Sequence, residues 1–165
     1  MTAKRKWLPI VGGIAVLVVF AGLGAAWFGI SWFREHMEVT AASSDEATRA
    51  FDEVKAKFPG RAPLLEFSGG TPRVNIDTVD AGRPARSLTT LHVIAWDPDD
   101  RQLARFDIPF WFVRLKSGPI EFSTYASGFD KVGASLKVED IERYGTGIIV
   151  DASMPRGERA LIWAE

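Results

Sequence analysis

From Trp7 to Phe33 the chain carries no charged side chain, reading WLPIVGGIAVLVVFAGLGAAWFGISWF. No other stretch constrains the fold so tightly. A bilayer core of about 30 Å is crossed by roughly 20 apolar residues, each rising about 1.5 Å. The run exceeds that length, so it predicts one transmembrane helix over 7–33, with room for tilt or for a last turn among the headgroups. Trp7 stands at one end and Trp27 and Trp32 toward the other, where amphipathic rings favour the membrane–water interface. Lys4, Arg5 and Lys6 precede the run and set its orientation, because basic flanks stay in the cytoplasm. The expected location is the cell membrane, with a cytoplasmic N-terminus and a periplasmic or extracellular C-terminal part.

A cleaved signal peptide is the competing reading, since Gly24, Ala25 and Ala26 offer small residues to a signal peptidase. The apolar run continues past them through Trp27, Phe28 and Ile30 and is longer than a usual signal core, which favours an uncleaved anchor. Ala21, Ala25 and Gly29 recur at every fourth position, with Gly22 and Ala26 beside them. Small residues so spaced let another helix approach closely, so the expected partners are the bilayer and, through this stripe, another membrane protein or a second copy.

The division that follows is a basic cytoplasmic tip over 1–6, the membrane helix over 7–33, a linker over 34–43 and an extracytoplasmic domain over 44–165. With Lys4, Arg5 and Lys6 set aside, 17 of the 20 basic residues remain against all 21 acidic ones. A mildly acidic domain does not suit nucleic acid, whose phosphates demand clustered Lys and Arg. The chain has no cysteine, which excludes disulfides, thiolate metal sites and cysteine nucleophiles.

Within the domain, SSDEATRAFDEVKAKFPG predicts a helix. Ser43 and Glu46 fit a capping box, Ala47, Ala50, Phe51, Val54 and Phe58 share one face, and Pro59-Gly60 stops it. Short apolar runs follow, among them PLLEFS, RVNIDTV and SLTTLHVIAW, the last joined to RQLARFDIPFWFV through a DPDD turn. Period-two alternation puts Ala104, Phe106, Ile108, Phe110 and Phe112 on one face of a strand, and Leu103, Arg105, Asp107, Pro109, Trp111 and Val113 on the other. Pro109 implies an edge, a bulge or a break. Trp111 is either covered by another element, which its size favours, or exposed to a partner. PIEFSTYASG reads as a strand, LKVEDIERYG as a short helix ending at Gly145, and GIIVDAS with RALIWAE as a closing hairpin. The sum is an α+β domain of six or seven strands in a mainly antiparallel sheet, with one amphipathic helix and one short inserted helix.

Chemistry is sparse. His36 and His92 stand apart with no convergent metal donors, and His92 reads as a satisfied strand residue. Asp97, Asp99 and Asp100 begin a calcium-loop pattern that fails at Arg101, Gln102 and Ile108. SGGTPR lacks the lysine of a phosphate-binding loop, and Lys116 and Ser117 are adjacent, so on a strand they would face apart. No catalytic, cofactor-binding or metal-binding residue is assigned, and no cofactor is expected. Three roles remain. The first is a non-enzymatic, membrane-anchored interaction module whose candidate partner patch is Arg105, Trp111 and Arg114, aromatics and Arg being favoured at binding hot spots. The alternatives are a small-molecule or lipid binder with a cavity between helix and sheet, and a tethered hydrolase.

Overall fold

A computed structural model describes residues 37–69, 71–75, 79, 87–115, 118–126 and 130–165, with backbone only for 123–126 and 130–133. The predicted membrane helix, Lys4, Arg5, Lys6, the stripe of Ala21, Gly22, Ala25, Ala26 and Gly29, and His36 all lie outside these residues. Among the described residues no helix is long and apolar enough to cross a membrane.

The chain runs through β1 (Met37–Ala41), α1 (Ser44–Ala56), β2 (Leu65–Ser68), β3 (Thr71–Val74), β4 (Thr90–Asp97), β5 (Gln102–Pro109), α2 (Phe110–Arg114), β6 (Ile120–Ala126), β7 (Asp130–Leu136), α3 (Val138–Tyr144), β8 (Gly147–Ser153) and β9 (Arg159–Ala164). Seven strands form one sheet in the order β1-β5-β4-β9-β8-β2-β3, and β6 and β7 form a separate hairpin. Every pairing is antiparallel except β2 with β8. This is an α+β domain.

The order of strands follows their composition. β4 (TLHVIAWD), β8 (GIIVDAS) and β9 (RALIWA) are nearly continuous apolar runs, and they occupy the middle of the sheet with both faces covered. The edges fall to β1 (MEVTA) and β3 (TPRV), whose largely exposed residues include a glutamate, an arginine and a proline. Charge and proline at an edge discourage pairing with a further strand.

One face packs on α1. Ala47, Ala50, Phe51 and Val54 meet Ile94, Trp96, Leu103, Ile148, Leu161 and Trp163. The other face carries the larger core, where Val93, Phe106, Ile108 and Ile162 meet residues of α2, the β6–β7 hairpin and α3. Leu161 and Trp163 face α1 while Ile162 faces the other way, as strand alternation requires. A bulge in β8, where Ile148 pairs Trp163 and Val150 pairs Ile162, turns both Ile149 and Val150 into the larger core.

The capping box forms as predicted. Ser43 donates to the Glu46 carboxylate from its backbone N–H at 2.7 Å and its hydroxyl at 2.8 Å, and Ser43 Oγ accepts from Glu46 N at 3.2 Å. The backbone bond above all, then the hydroxyl, holds the Glu46 carboxyl below its ordinary value of 4.5. A depressed folded-state pKa contributes stability that is present above that value and is lost as pH falls through the folded one. Ser43→Ala is therefore expected to lower stability by about 1 kcal/mol at neutral pH, with the deficit shrinking in acid. Urea unfolding of both proteins at pH 7 and pH 3 checks the sign.

Three expectations are corrected. Residues 37–41, read as linker, form β1, paired with β5 from Met37↔Phe106 to Ala41↔Gln102. The strand predicted to run through Val113 ends at Pro109, and Phe110 to Arg114 turn into α2. Pro109 has no N–H to continue the ladder, and Phe110 N instead donates to Thr89 O at 2.8 Å. Among the described residues the strand count rises to nine, because β1 and β7 (DKVGASL) carry too little apolar alternation to stand out.

Candidate functional site

Helical spacing decides what α2 shows to its surroundings. Phe110 and Val113, three apart, are buried in the larger core. Trp111 and Leu115, four apart, therefore share the outward side and are 61% and 67% exposed. Phe112 is half-buried and meets the Trp111 ring edge-on at 5.9 Å. Arg114 Nε donates to Glu142 Oε1 of α3 at 2.6 Å, and its guanidinium lies 5.3 Å from the Phe110 ring centre. Thus α2 is clamped from below by Phe110 and Val113 and from the side by Arg114–Glu142, while Trp111 and Leu115 stay uncovered. Of the other large exposed apolar side chains among the described residues, Val39 and Val74 both lie on edge strands.

The size-based expectation that Trp111 is core is corrected, and helical rather than strand geometry is the reason. Trp111→Ala is expected to change folding stability by no more than about 0.5 kcal/mol, as for most surface substitutions away from special features. A thermal melt that shifts by more would show that Trp111 is packed.

The predicted patch is only partly assembled. Trp111 and Arg114 share α2, but Arg105 lies on β5 in alternation with Leu103, whose side chain packs on the α1 face. Because α2 packs on the opposite face, Arg105 belongs to another surface. Leu115 was missed, because a strand reading gives no reason to pair it with Trp111.

A second polar cluster lies on the α1 face at the same end of the sheet. His92 Nδ1 is 2.7 Å from Asp107 Oδ1 on the neighbouring strand, and its ring stacks on Trp163 with centroids 5.0 Å apart. His92 Nε2 faces Glu165 Oε2 at 3.8 Å, Trp163 Nε1 donates to Glu165 Oε1 at 3.2 Å, and Lys57 Nζ is 3.6 Å from Glu165 Oε1. A Ser–His–Asp arrangement needs a hydroxyl where His92 meets Glu165. This ring instead stands between two carboxylates, so the cluster holds the end of β9 against β4 and the end of α1. Among the described residues no three His, Asp or Glu side chains converge as a metal would need.

The Asp97–Asp100 turn is structural. Asp97 Oδ1 accepts from Asp99 N at 2.9 Å, and Arg101 closes the turn at a φ of 50°. Gly70, Lys116 and Ser117 lie outside the described residues.

The chain matches no protein-family model, no curated protein and no solved structure.

Proposed function

We propose that this chain is a single-pass membrane protein whose folded domain stands outside the cytoplasm as a non-enzymatic interaction or accessory module. Its contact surface is the exposed side of α2. The observation that carries the reading is the pair Trp111 and Leu115, displayed together on a helix fixed firmly to the core. An exposed tryptophan and leucine side by side at helical spacing suit a surface that meets something apolar. The charge-free run over 7–33 supplies the anchor, and Lys4, Arg5 and Lys6 supply its orientation.

The space between α1 and the sheet is occupied by Phe51, Ile94, Trp96 and Leu161, which does not favour an apolar ligand bound there. The environment of His92 does not favour a tethered hydrolase.

Alkaline carbonate extraction followed by intact-mass analysis tests the anchor. The full chain should stay in the membrane pellet with residues 1–33 attached. Release into the supernatant, or a mass beginning after Ala26, would overturn it.

A further inference from the structure

We propose that the exposed side of α2 docks on the lipid surface of the same membrane that anchors the chain. This rests on the anchoring proposed above and names the partner of that contact surface.

Register carries the argument. β1 is antiparallel to β5, with Met37 opposite Phe106. Each residue that β5 advances beyond Phe106 therefore moves back along the direction from which β1 came. Phe110 lies four residues beyond Phe106, and Phe33, the last residue of the apolar run, lies four residues before Met37. At about 3.3 Å per residue, Phe110 stands about 13 Å from Phe106 toward the side where β1 enters. Four residues of chain span at most about 14 Å, so Met37 cannot stand farther than that from Phe33. The headgroup layer on each side of the hydrocarbon core is itself roughly 5–8 Å deep. The end of the sheet bearing α2 is thereby tethered within reach of the interface.

The far end is marked by the 98–101 and 154–158 turns, which adjoin each other: a Cβ on Gly157 would come within 3.5 Å of the Pro98 ring. The two most exposed large apolar side chains among the described residues thus sit on the end tethered toward the bilayer. One is tryptophan, which favours the interface, and the other is leucine, which favours the acyl boundary. A tether of this length raises the local lipid concentration that these two side chains meet.

The chain has no cysteine, so single reporters can be placed cleanly. The full chain is reconstituted in phosphatidylcholine–phosphatidylglycerol vesicles with an environment-sensitive fluorophore on Leu115→Cys. Trp111→Cys serves as the second reporter of the same surface. Arg156→Cys reports the far turn, and Val18→Cys reports the middle of the apolar run. The expected result is a blue-shifted emission at 115 and 111, iodide quenching severalfold weaker than at 156, and efficient quenching by lipids nitroxide-labelled near the headgroup. Water-like emission at 115 and 111 with a lipid-buried probe at 18 would overturn the docking and leave the anchor standing. A blue shift without lipid quenching, growing with protein-to-lipid ratio, would assign the surface to a second copy and overturn the proposal. A water-exposed probe at 18 would overturn the anchor, and the docking with it.

Discussion

Phe51→Ala is expected to destabilise the domain by about 3–5 kcal/mol, the usual cost of deleting a fully buried aromatic side chain. Phe51 is wholly buried at the centre of the α1 face, among Ala47, Ala50, Val54, Ile94, Trp96 and Leu161. It is the largest side chain that α1 contributes, and Ala47 and Ala50 beside it are too small to collapse into the space it would leave. The Arg159 guanidinium lies 4.3 Å from its ring centre, a contact worth a further ~0.5–1 kcal/mol. Domains of this size are stable by only about 5–15 kcal/mol, so the variant should lose a large share of its margin. Urea unfolding followed by tryptophan fluorescence measures it, since Trp96 and Trp163 line the same core. A loss under about 1 kcal/mol would mean that α1 does not pack on the sheet as described.

Gly147→Ala is the second large effect, and its cause is different. A Cβ at position 147 would lie 2.8 Å from Cε1 and 3.0 Å from the hydroxyl oxygen of Tyr144, on a backbone with φ of +152°. The ring has little freedom to retreat. Tyr144 is buried, its hydroxyl donates to Ala62 O at 2.9 Å, and the Arg61 guanidinium stacks 3.8 Å from the ring centre. Arg61 also donates to the carbonyls of Tyr144 and Thr146. Overpacking and backbone strain together predict a loss of about 2–4 kcal/mol. In a Tyr144→Leu background the same substitution should cost markedly less, because the atoms it strikes are gone. Equal costs in the two backgrounds would place the strain in the backbone alone.

The same tyrosine carries a pH signature. Burial pushes its hydroxyl above the ordinary value of 10.0, against the opposing influence of Arg61. A phenol whose folded-state pKa is raised contributes stability that is fully present below that ordinary value and is lost as pH rises through the folded one. The domain should therefore weaken in strong alkali, and Tyr144→Phe should flatten that decline.

What the sequence made legible follows from how local each signal is. The α1 boundaries were readable because Ser43, Glu46 and the Pro59-Gly60 stop all lie within a few residues of the helix they define. The β4–β5 and β8–β9 hairpins were readable because two apolar runs flank a turn with a chemical reason to bend. β1 was not, since Met37 to Ala41 become a strand only by pairing with β5, more than sixty residues away. The exposure of Trp111 was lost for a related reason. A proline that breaks a strand is visible in sequence, but the helix that follows it depends on Phe110 N finding Thr89 O and on Val113 finding the core. Once that turn is taken, the period changes from two to 3.6, and Leu115 joins Trp111 on the outside. The pairing of His92 with Asp107 likewise needs the β4–β5 register, which places the two opposite each other.

Protease digestion of intact cells carrying the full chain tests the central claim most directly, that an uncleaved apolar anchor holds the folded domain outside the cytoplasm. The domain should be destroyed in intact cells or spheroplasts while a short fragment containing residues 1–33 survives in the membrane. A domain that survives until the cells are lysed would contradict it.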